Sequence, residues 1–256
     1  MSWWQAVFLG AVQGVTEFFP ISSTAHLILL PKLFGWTEPP LFFDAGIHLA
    51  TGLAILIFFR HKILEIITQK NWRLVFYIIL AAVPAGLAGL VFGDLVEERL
   101  RIIPAIIFQL LFVSGLMWWA ERRISQSNDT ALESVSFRKF VQMGLAQILA
   151  LIPGSSRSGV TISVGMLGGL SRSTAAEASF LIGLPVIFGA GIYESYKHLS
   201  EITLHGGVFG LGFLTALVIG MMALRWLMHI VQANSLKPFI YYRLFLALSL
   251  YIIFLS

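Results

Sequence analysis

The sequence predicts an all-α polytopic membrane protein, and three observations predict it. Charged residues make up only 12% of the 256 residues, against 57% hydrophobic and a mean hydropathy of +0.85, whereas soluble domains carry about 25% charge. Apolar runs recur along the whole length instead of alternating residue by residue, which fits helices and not barrel strands. Two of those runs are short, and each follows a Pro-Ser-Ser break.

The apolar runs cover roughly 3–19, 24–35, 41–59, 74–93, 102–120, 138–153, 158–170, 175–193, 207–231 and 239–255. Crossing a bilayer takes about 20 apolar residues, so 24–35 and 158–170 are too short to cross. The first follows "PISST" at Pro20 and the second "PGSSR" at Pro153. Each is expected to pair with the run before it as a re-entrant helical hairpin. Three transmembrane helices then follow each hairpin. Three crossings is an odd number and inverts the second half. The expected domains are a first inverted-topology repeat at 1–120, a cytoplasmic linker at 121–136 and a second repeat at 137–256, together one membrane domain. Discontinuous helices around a midplane site suit such an architecture. The repeat is weak in sequence: Gln13 lies seven residues before Pro20, and Gln147 six before Pro153.

Charge sets the expected orientation. Arg60, Lys62, Lys70, Arg73, Arg122, Arg123, Arg138, Lys139, Arg172 and Lys237 fall on one side, and Lys32, Arg99, Arg101 and Lys197 on the other. The richer side is read as cytoplasmic, with both termini outward. The net charge of +4 therefore reflects topology and does not point to nucleic acid. Cysteine is absent, which excludes disulfides, thiol catalysis and thiolate metal sites. The N-terminus "MSWWQAVFLG" lacks a basic leader and reads as a retained first helix.

The chemistry gathers at the two breaks. Gln13 and Glu17 are spaced i,i+4 and share one helix face. An ionisable residue at membrane depth costs about 2.5–3.5 kcal/mol on the insertion scale and is usually functional, although a carboxylate near a helix end also serves as a cap reaching water. Ser22, Ser23 and Thr24 open the next helix. They are ordinary N-cap residues, and they also offer hydroxyls and N–H groups at its positive end, which suits an anion. His26 follows Ser23 at i+3. A lone His in an apolar helix is more often a packing residue, but this one is near both Ser23 and Glu17.

The second break, "PGSSRSGVTI", offers Gly154 and Gly159 for close backbone approach. Ser155, Ser156, Ser158 and Thr161 add hydroxyls. Arg157 is permanently charged and forks onto phosphate. On a re-entrant tip it needs an anion or a carboxylate, and Glu17 is the expected resting partner; the alternative is snorkelling to the interface. Two helix N-termini, a carboxylate, a His and an Arg describe a site for a phosphorylated ligand with an apolar body. No GxxxxGK[ST], GxGxxG, HExxH or paired CxxC motif is present.

"QGVTEFFPISSTAHL" and "PGSSRSGVTI" resemble the two signature motifs of the bacterial undecaprenyl-pyrophosphate phosphatase family, also known for bacitracin resistance. The resemblance extends over essentially the full chain, through "AAEASFLIGLPVIFGAGIYESYK" and "KPFIYYRLFLALSLYIIF". It implies an integral phosphatase of the bacterial inner membrane. Such an enzyme takes the terminal phosphate from a C55 polyprenyl diphosphate at a site opening to the outer face, and so recycles the lipid carrier of cell-wall synthesis. Its first motif position is Gln13 here, where the family also uses Glu. A divalent cation, Mg or Ca, would then rest on Glu17 and the Gln13 amide oxygen, less strongly than on two carboxylates.

Under that resemblance Ser23 is the candidate nucleophile, with water as the alternative attacker. Glu17 is the base or metal ligand, and His26 the general acid or base. Arg157, with the amides and hydroxyls of 154–158, stabilises the transferred phosphoryl group. The remaining expected partners are membrane lipids and a second copy of the chain. The competing class is a secondary transporter or flippase of a lipid phosphate, built on the same inverted repeats and anion site. Asp44 and His48, near the outer end of their span, are expected to be solvated or structural. Glu177 and Ser179 lie near a cytoplasmic end, and Arg225 and Arg243 are expected to snorkel toward the cytoplasmic interface.

Overall fold

The computed structural model describes residues 1–123 and 131–255. Each apolar run becomes a helix: α1 (Trp3–Thr16), α2 (Ser23–Phe34), α3 (Leu41–Phe58), α5 (Trp72–Leu100), α6 (Ile103–Arg123), α7 (Phe137–Ala146), α8 (Arg157–Leu167), α9 (Arg172–Lys197), α11 (Gly206–Ala233) and α12 (Lys237–Phe254). Two short helices, α4 (Arg60–Thr68) and α10 (Leu199–Leu204), occupy connecting segments that carry no long apolar run. Among the described residues, six helices are long and apolar enough to cross a membrane: α3, α5, α6, α9, α11 and α12. This is an all-α polytopic membrane protein. The six fall three to each half, after α1–α2 and after α7–α8.

Burial ranks the spans. In α9, 61% of the most apolar window is buried, and in α3 50%, against 28% in α5, α11 and α12. The first two are therefore inner helices, and the outer ones turn Leu, Val, Ile and Phe outward, among them Leu87, Leu90 and Val91 of α5 and Phe245 and Leu248 of α12. Exposed apolar faces of this extent need lipid around them.

Small residues let the broken helices pack closely. Gly10 and Gly14 form a GxxxG pair on α1. A Cβ at Gly14 would stand 2.8 Å from the Gly220 amide nitrogen and 2.9 Å from the Ala216 carbonyl on α11. Close backbone approach through small residues is how helices associate where lipid removes the hydrophobic drive. Gly144 of α7 meets the Ala81 backbone of α5 in the same manner.

The two breaks are built alike. Ser22 and Ser156 hold positive φ, 76° and 69°, and each caps the helix that follows. Ser22 Oγ accepts from the Ala25 amide at 3.4 Å, and Ser156 Oγ from the Gly159 amide at 3.2 Å. Each hydroxyl also meets the one two residues on, Thr24 or Ser158, at 3.2 Å. Gly10 and Gly144, Gln13 and Gln147, and Ser22 and Ser156 each stand 134 positions apart. Measured from the cap serine the two Gln agree, at nine residues upstream; Pro20 and Pro153 are one position out of step.

One expectation is corrected. Arg243 does not snorkel: its side chain is wholly buried at the centre of the molecule. Its Nη1 donates to the Pro20 carbonyl at 3.3 Å. Its Nη2 donates to the carbonyls of Gly154 at 3.0 Å, Gln109 at 3.1 Å and Leu110 at 3.3 Å, and its Nε to Ser114 Oγ at 3.3 Å. Break loops expose carbonyls that no helix satisfies, and a forked cation satisfies several at once. One guanidinium thus ties both breaks to α6.

The last residues of α6 overlap the start of the expected linker at 121. α6 runs on to Arg123, and Glu121 accepts from Arg172 Nε at 2.8 Å, Arg172 Nη2 at 2.6 Å and the Leu236 amide at 2.8 Å. Residues 124–130 of the expected linker lie outside the described residues. α5 continues past the apolar run to Leu100, where Arg101 pairs with Glu97 at 2.8 Å.

Candidate functional site

Glu17 is the hub of the site. It follows α1 directly, where the turn at 17–21 brings the chain back into α2. Its Oε2 accepts from Ser23 Oγ at 2.8 Å and Gln13 Nε2 at 3.2 Å. Its Oε1 accepts from Arg157 Nη2 at 3.2 Å, from the other half of the chain. His48 Nε2 lies 3.7 Å from Oε2. The carboxylate is buried, and a buried charge is tolerated only when paired and hydrogen-bonded.

Arg157 begins α8 and spends only part of its capacity on Glu17. Its Nη1 donates to the Ser179 carbonyl at 3.2 Å, its guanidinium lies 5.5 Å from the centre of the Phe180 ring, and its Nε is buried without a partner. A Cβ at Gly183 would stand 2.9 Å from Arg157 Cζ, so only glycine leaves room for this side-chain pose. Ser179 Oγ meets Thr161 Oγ1 at 2.5 Å, and Thr161 Oγ1 donates to the Arg157 carbonyl at 2.8 Å. The arginine is held from both ends.

A cleft of about 140 Å³ opens onto this cluster. Glu17, Ser23, Thr24, Ser156 and Arg157 line it, with His48, Gln147 and Gly183. The starts of α2 and α8 both reach it, so two positive helix ends share one small space. A wider chamber of about 490 Å³ continues from it past Thr24, His48 and Asp44 to Asp94, Glu97, Arg101 and Lys197.

The other expected site residues lie close by with different partners. Ser22 caps α2. His26 turns away from Glu17: its Nδ1 meets the Ser22 carbonyl at 2.7 Å and its Nε2 the Tyr242 hydroxyl at 2.6 Å. A carbonyl only accepts, so Nδ1 carries a proton, and in the neutral ring Nε2 accepts from Tyr242. Gly154, at φ 97°, gives its carbonyl to Arg243. Ser155 donates to Gln109 Oε1 at 3.1 Å. Ser158 pairs with Ser156, and Gly159 packs on Ser156 and Val113. These groups shape the break and do not line the cleft.

His48 lines the cleft and Asp44 the wider chamber. α3 starts at Leu41 after Pro40, which places His48 two turns inside, level with Glu17. Asp44 Oδ1 is shielded and has no partner, and it faces the wider chamber. Gln147 was visible only as a repeat marker, and Ser179 and Gly183 gave no signal. Their roles depend on where α9 passes Arg157.

A cation has limited support here. Among the described residues no group of three His, Asp or Glu side chains is placed to hold a metal. Gln13 Oε1 is buried without a partner beside Glu17. Those two oxygens are the ligand type that Mg²⁺ or Ca²⁺ takes, with water and phosphate completing the shell.

This chain is 39% identical to a protein of Caldicellulosiruptor bescii over 96% of both chains. It is 38% identical to one of Saccharophagus degradans, again over 96% of each. A protein of Thermodesulfovibrio yellowstonii is also 38% identical, over 98% of this chain and 96% of its own. All three are named undecaprenyl-diphosphatase. The family model described as bacitracin resistance protein BacA matches residues 6–249, so the chain belongs to the bacitracin resistance protein BacA family.

Proposed function

We propose that this protein is a membrane phosphatase that cleaves undecaprenyl diphosphate to undecaprenyl phosphate and inorganic phosphate, recycling the lipid carrier of cell-wall synthesis. The observation that carries this reading is the contact of Ser23 Oγ with Glu17 Oε2 at 2.8 Å, beside Arg157 in one cleft. A hydroxyl hydrogen-bonded to a carboxylate is an activated nucleophile. A pure carrier has no use for one. The names of the relatives point the same way.

The terminal phosphate enters the small cleft and the lipid-bearing phosphate remains in the wider chamber. Arg157 and the starts of α2 and α8 hold the terminal phosphoryl oxygens as charge spreads over them. Ser23 Oγ bonds to the terminal phosphorus while Glu17 takes its proton. The bridging P–O bond breaks, and its electron pair leaves with undecaprenyl phosphate. Water then attacks the phosphoserine, the Ser23 Oγ–P bond breaks, and Oγ regains a proton. His26 acts through its contact with the Ser22 backbone and not at the phosphorus. A divalent cation, when bound at Glu17 and Gln13 Oε1, neutralises phosphate charge.

The wider chamber reaches Arg101 and Lys197, and the charge asymmetry supports reading that side as the outer face of the bacterial inner membrane, with both termini there. The two halves form inverted repeats. The matching caps at Ser22 and Ser156 support this, as does the shared interval of 134 residues between Gly10 and Gly144.

The test is phosphate release from undecaprenyl diphosphate by the purified protein, with rapid-quench trapping of phosphoserine. Release that collapses in Arg157→Ala, and label trapped on Ser23, support the reading. No release by folded wild type with Mg²⁺ or Ca²⁺ supplied removes it.

A further inference from the structure

Gln147 opens the 3-10 turn Gln147–Leu151 that follows α7. It is 2% exposed, and neither its Nε2 nor its Oε1 has a partner. It lines the cleft together with Glu17, Ser23 and Arg157. A buried amide is ordinarily satisfied, because leaving both its groups unpaired is unfavourable. Gln13, at the matching position of the first half, has a partner: its Nε2 donates to Glu17, four residues on. Four residues after Gln147 the chain has Leu151, which offers nothing. The amide therefore carries an unmet donor and an unmet acceptor in the wall of the cleft where the phosphate is placed.

We propose that Gln147 is a substrate-binding residue that hydrogen-bonds the terminal phosphate of the lipid diphosphate, on the side of the cleft supplied by the α7–α8 break. Nε2 donates to a non-bridging phosphate oxygen. Oε1 accepts from water held beside that phosphate. Arg157 supplies charge and Gln147 supplies direction, since an amide has fixed donor and acceptor edges. The inference rests on the phosphatase reading for its substrate, but the anion-binding role is separable from turnover.

The decisive variant is Gln147→Met, which keeps length and apolar volume and removes both polar groups. It is compared with Gln147→Glu, which keeps the acceptor and replaces the donor edge with negative charge. Full-length protein in detergent is assayed for KM and kcat with undecaprenyl diphosphate, for inhibition by inorganic phosphate, and for melting temperature with and without inorganic phosphate. Gln147→Met is expected to raise KM about tenfold or more and to weaken phosphate inhibition by a similar factor. Its melting temperature without phosphate stays the same or rises, because an unpaired amide leaves the interior. The upward shift produced by phosphate shrinks. Gln147→Glu is expected to be worse than Met in both KM and inhibition.

Wild-type KM and phosphate inhibition in Gln147→Met overturn the proposal. So does a fall in melting temperature with phosphate sensitivity intact, which is the mark of a packing residue. If wild type releases no phosphate, the phosphatase reading fails, and the phosphate-induced melting shift still decides whether Gln147 binds the anion.

Discussion

Ser23 donates its hydroxyl to Glu17 Oε2 at 2.8 Å, across the turn that separates α1 from α2. The pair is assembled by backbone geometry: Ser22, at φ 76°, turns the chain so that the first residue of the new helix faces the residue that caps the old one. Substituting either partner therefore tests the chemistry and leaves the turn intact.

Ser23→Ala is expected to lower phosphate release at least a thousandfold, on the order of what losing a nucleophile costs. Glu17→Gln keeps the shape and accepts from Ser23 less well, and should fall by about 10²–10⁴. Steady-state kinetics with the purified variants read both. If Ser23→Ala turns over normally, attack is by water.

Gly183→Ala should displace Arg157, because the added methyl lies within contact of its guanidinium. The expected loss is about ten- to a hundredfold in kcat/KM, the scale of a misplaced positioning group. Melting temperature should barely move, since the guanidinium end is flexible. Unchanged kinetics would show that the pose of Arg157 against α9 is not the productive one.

Arg243→Met should destabilise the whole molecule. The carbonyls of Pro20 and Gly154 lose a donor in the interior, and breaking a buried charged network costs about 3–5 kcal/mol. Thermal unfolding should shift down by on the order of 10 °C. Arg243→Lys, with fewer donors and no fork, should recover only part of the loss.

The connecting segments supply a pH test. Lys62 and Glu133 form an ion pair between α4 and the short turn Leu132–Ser134. The Lys62 ammonium hydrogen-bonded to it holds the Glu133 carboxyl below its ordinary value, against a smaller opposing effect of burial. A depressed carboxylate stabilises the fold above its ordinary value and loses that contribution as pH falls through the folded value. Melting curves between pH 7 and about pH 3 should converge for wild type and Glu133→Gln at the acid end and separate above about pH 5. Parallel curves throughout would show that the pair contributes nothing. Both partners are partly solvent-exposed, so the separation is small.

Much of the fold was legible because apolar length is a strong signal. All ten apolar runs are helices, and the runs after Pro20 and Pro153 are indeed too short to be spans. The meeting of Glu17 with Arg157 was readable because two charges in an apolar interior each need the other. What escaped depends on contacts between distant helices. Arg243 looked like an interfacial residue because sequence shows an apolar helix around it and hides the carbonyls of two distant loops. His48 meets Glu17 through the packing of α3 against the first break, which the sequence around it does not display. His26 was judged by its neighbours in sequence, while Tyr242 on α12 determines which way it faces. Gln147 would have stood out had the repeat been measured from Ser22 and Ser156 instead of from the prolines.

Ser23 and Arg157 occupy the same place, one residue after the cap, in two turns of the same build. A symmetric dimer of one half would have to place identical residues at both positions. Two arginines would repel each other, and two serines would leave the phosphate without a counter-charge. Carrying both halves on one chain removes that restriction. The caps keep their shape while the side chains around them differ, Ser23 against Arg157 and Glu17 against Leu151. The asymmetry that the reaction needs is thus confined to side chains, on a backbone that has no need of it.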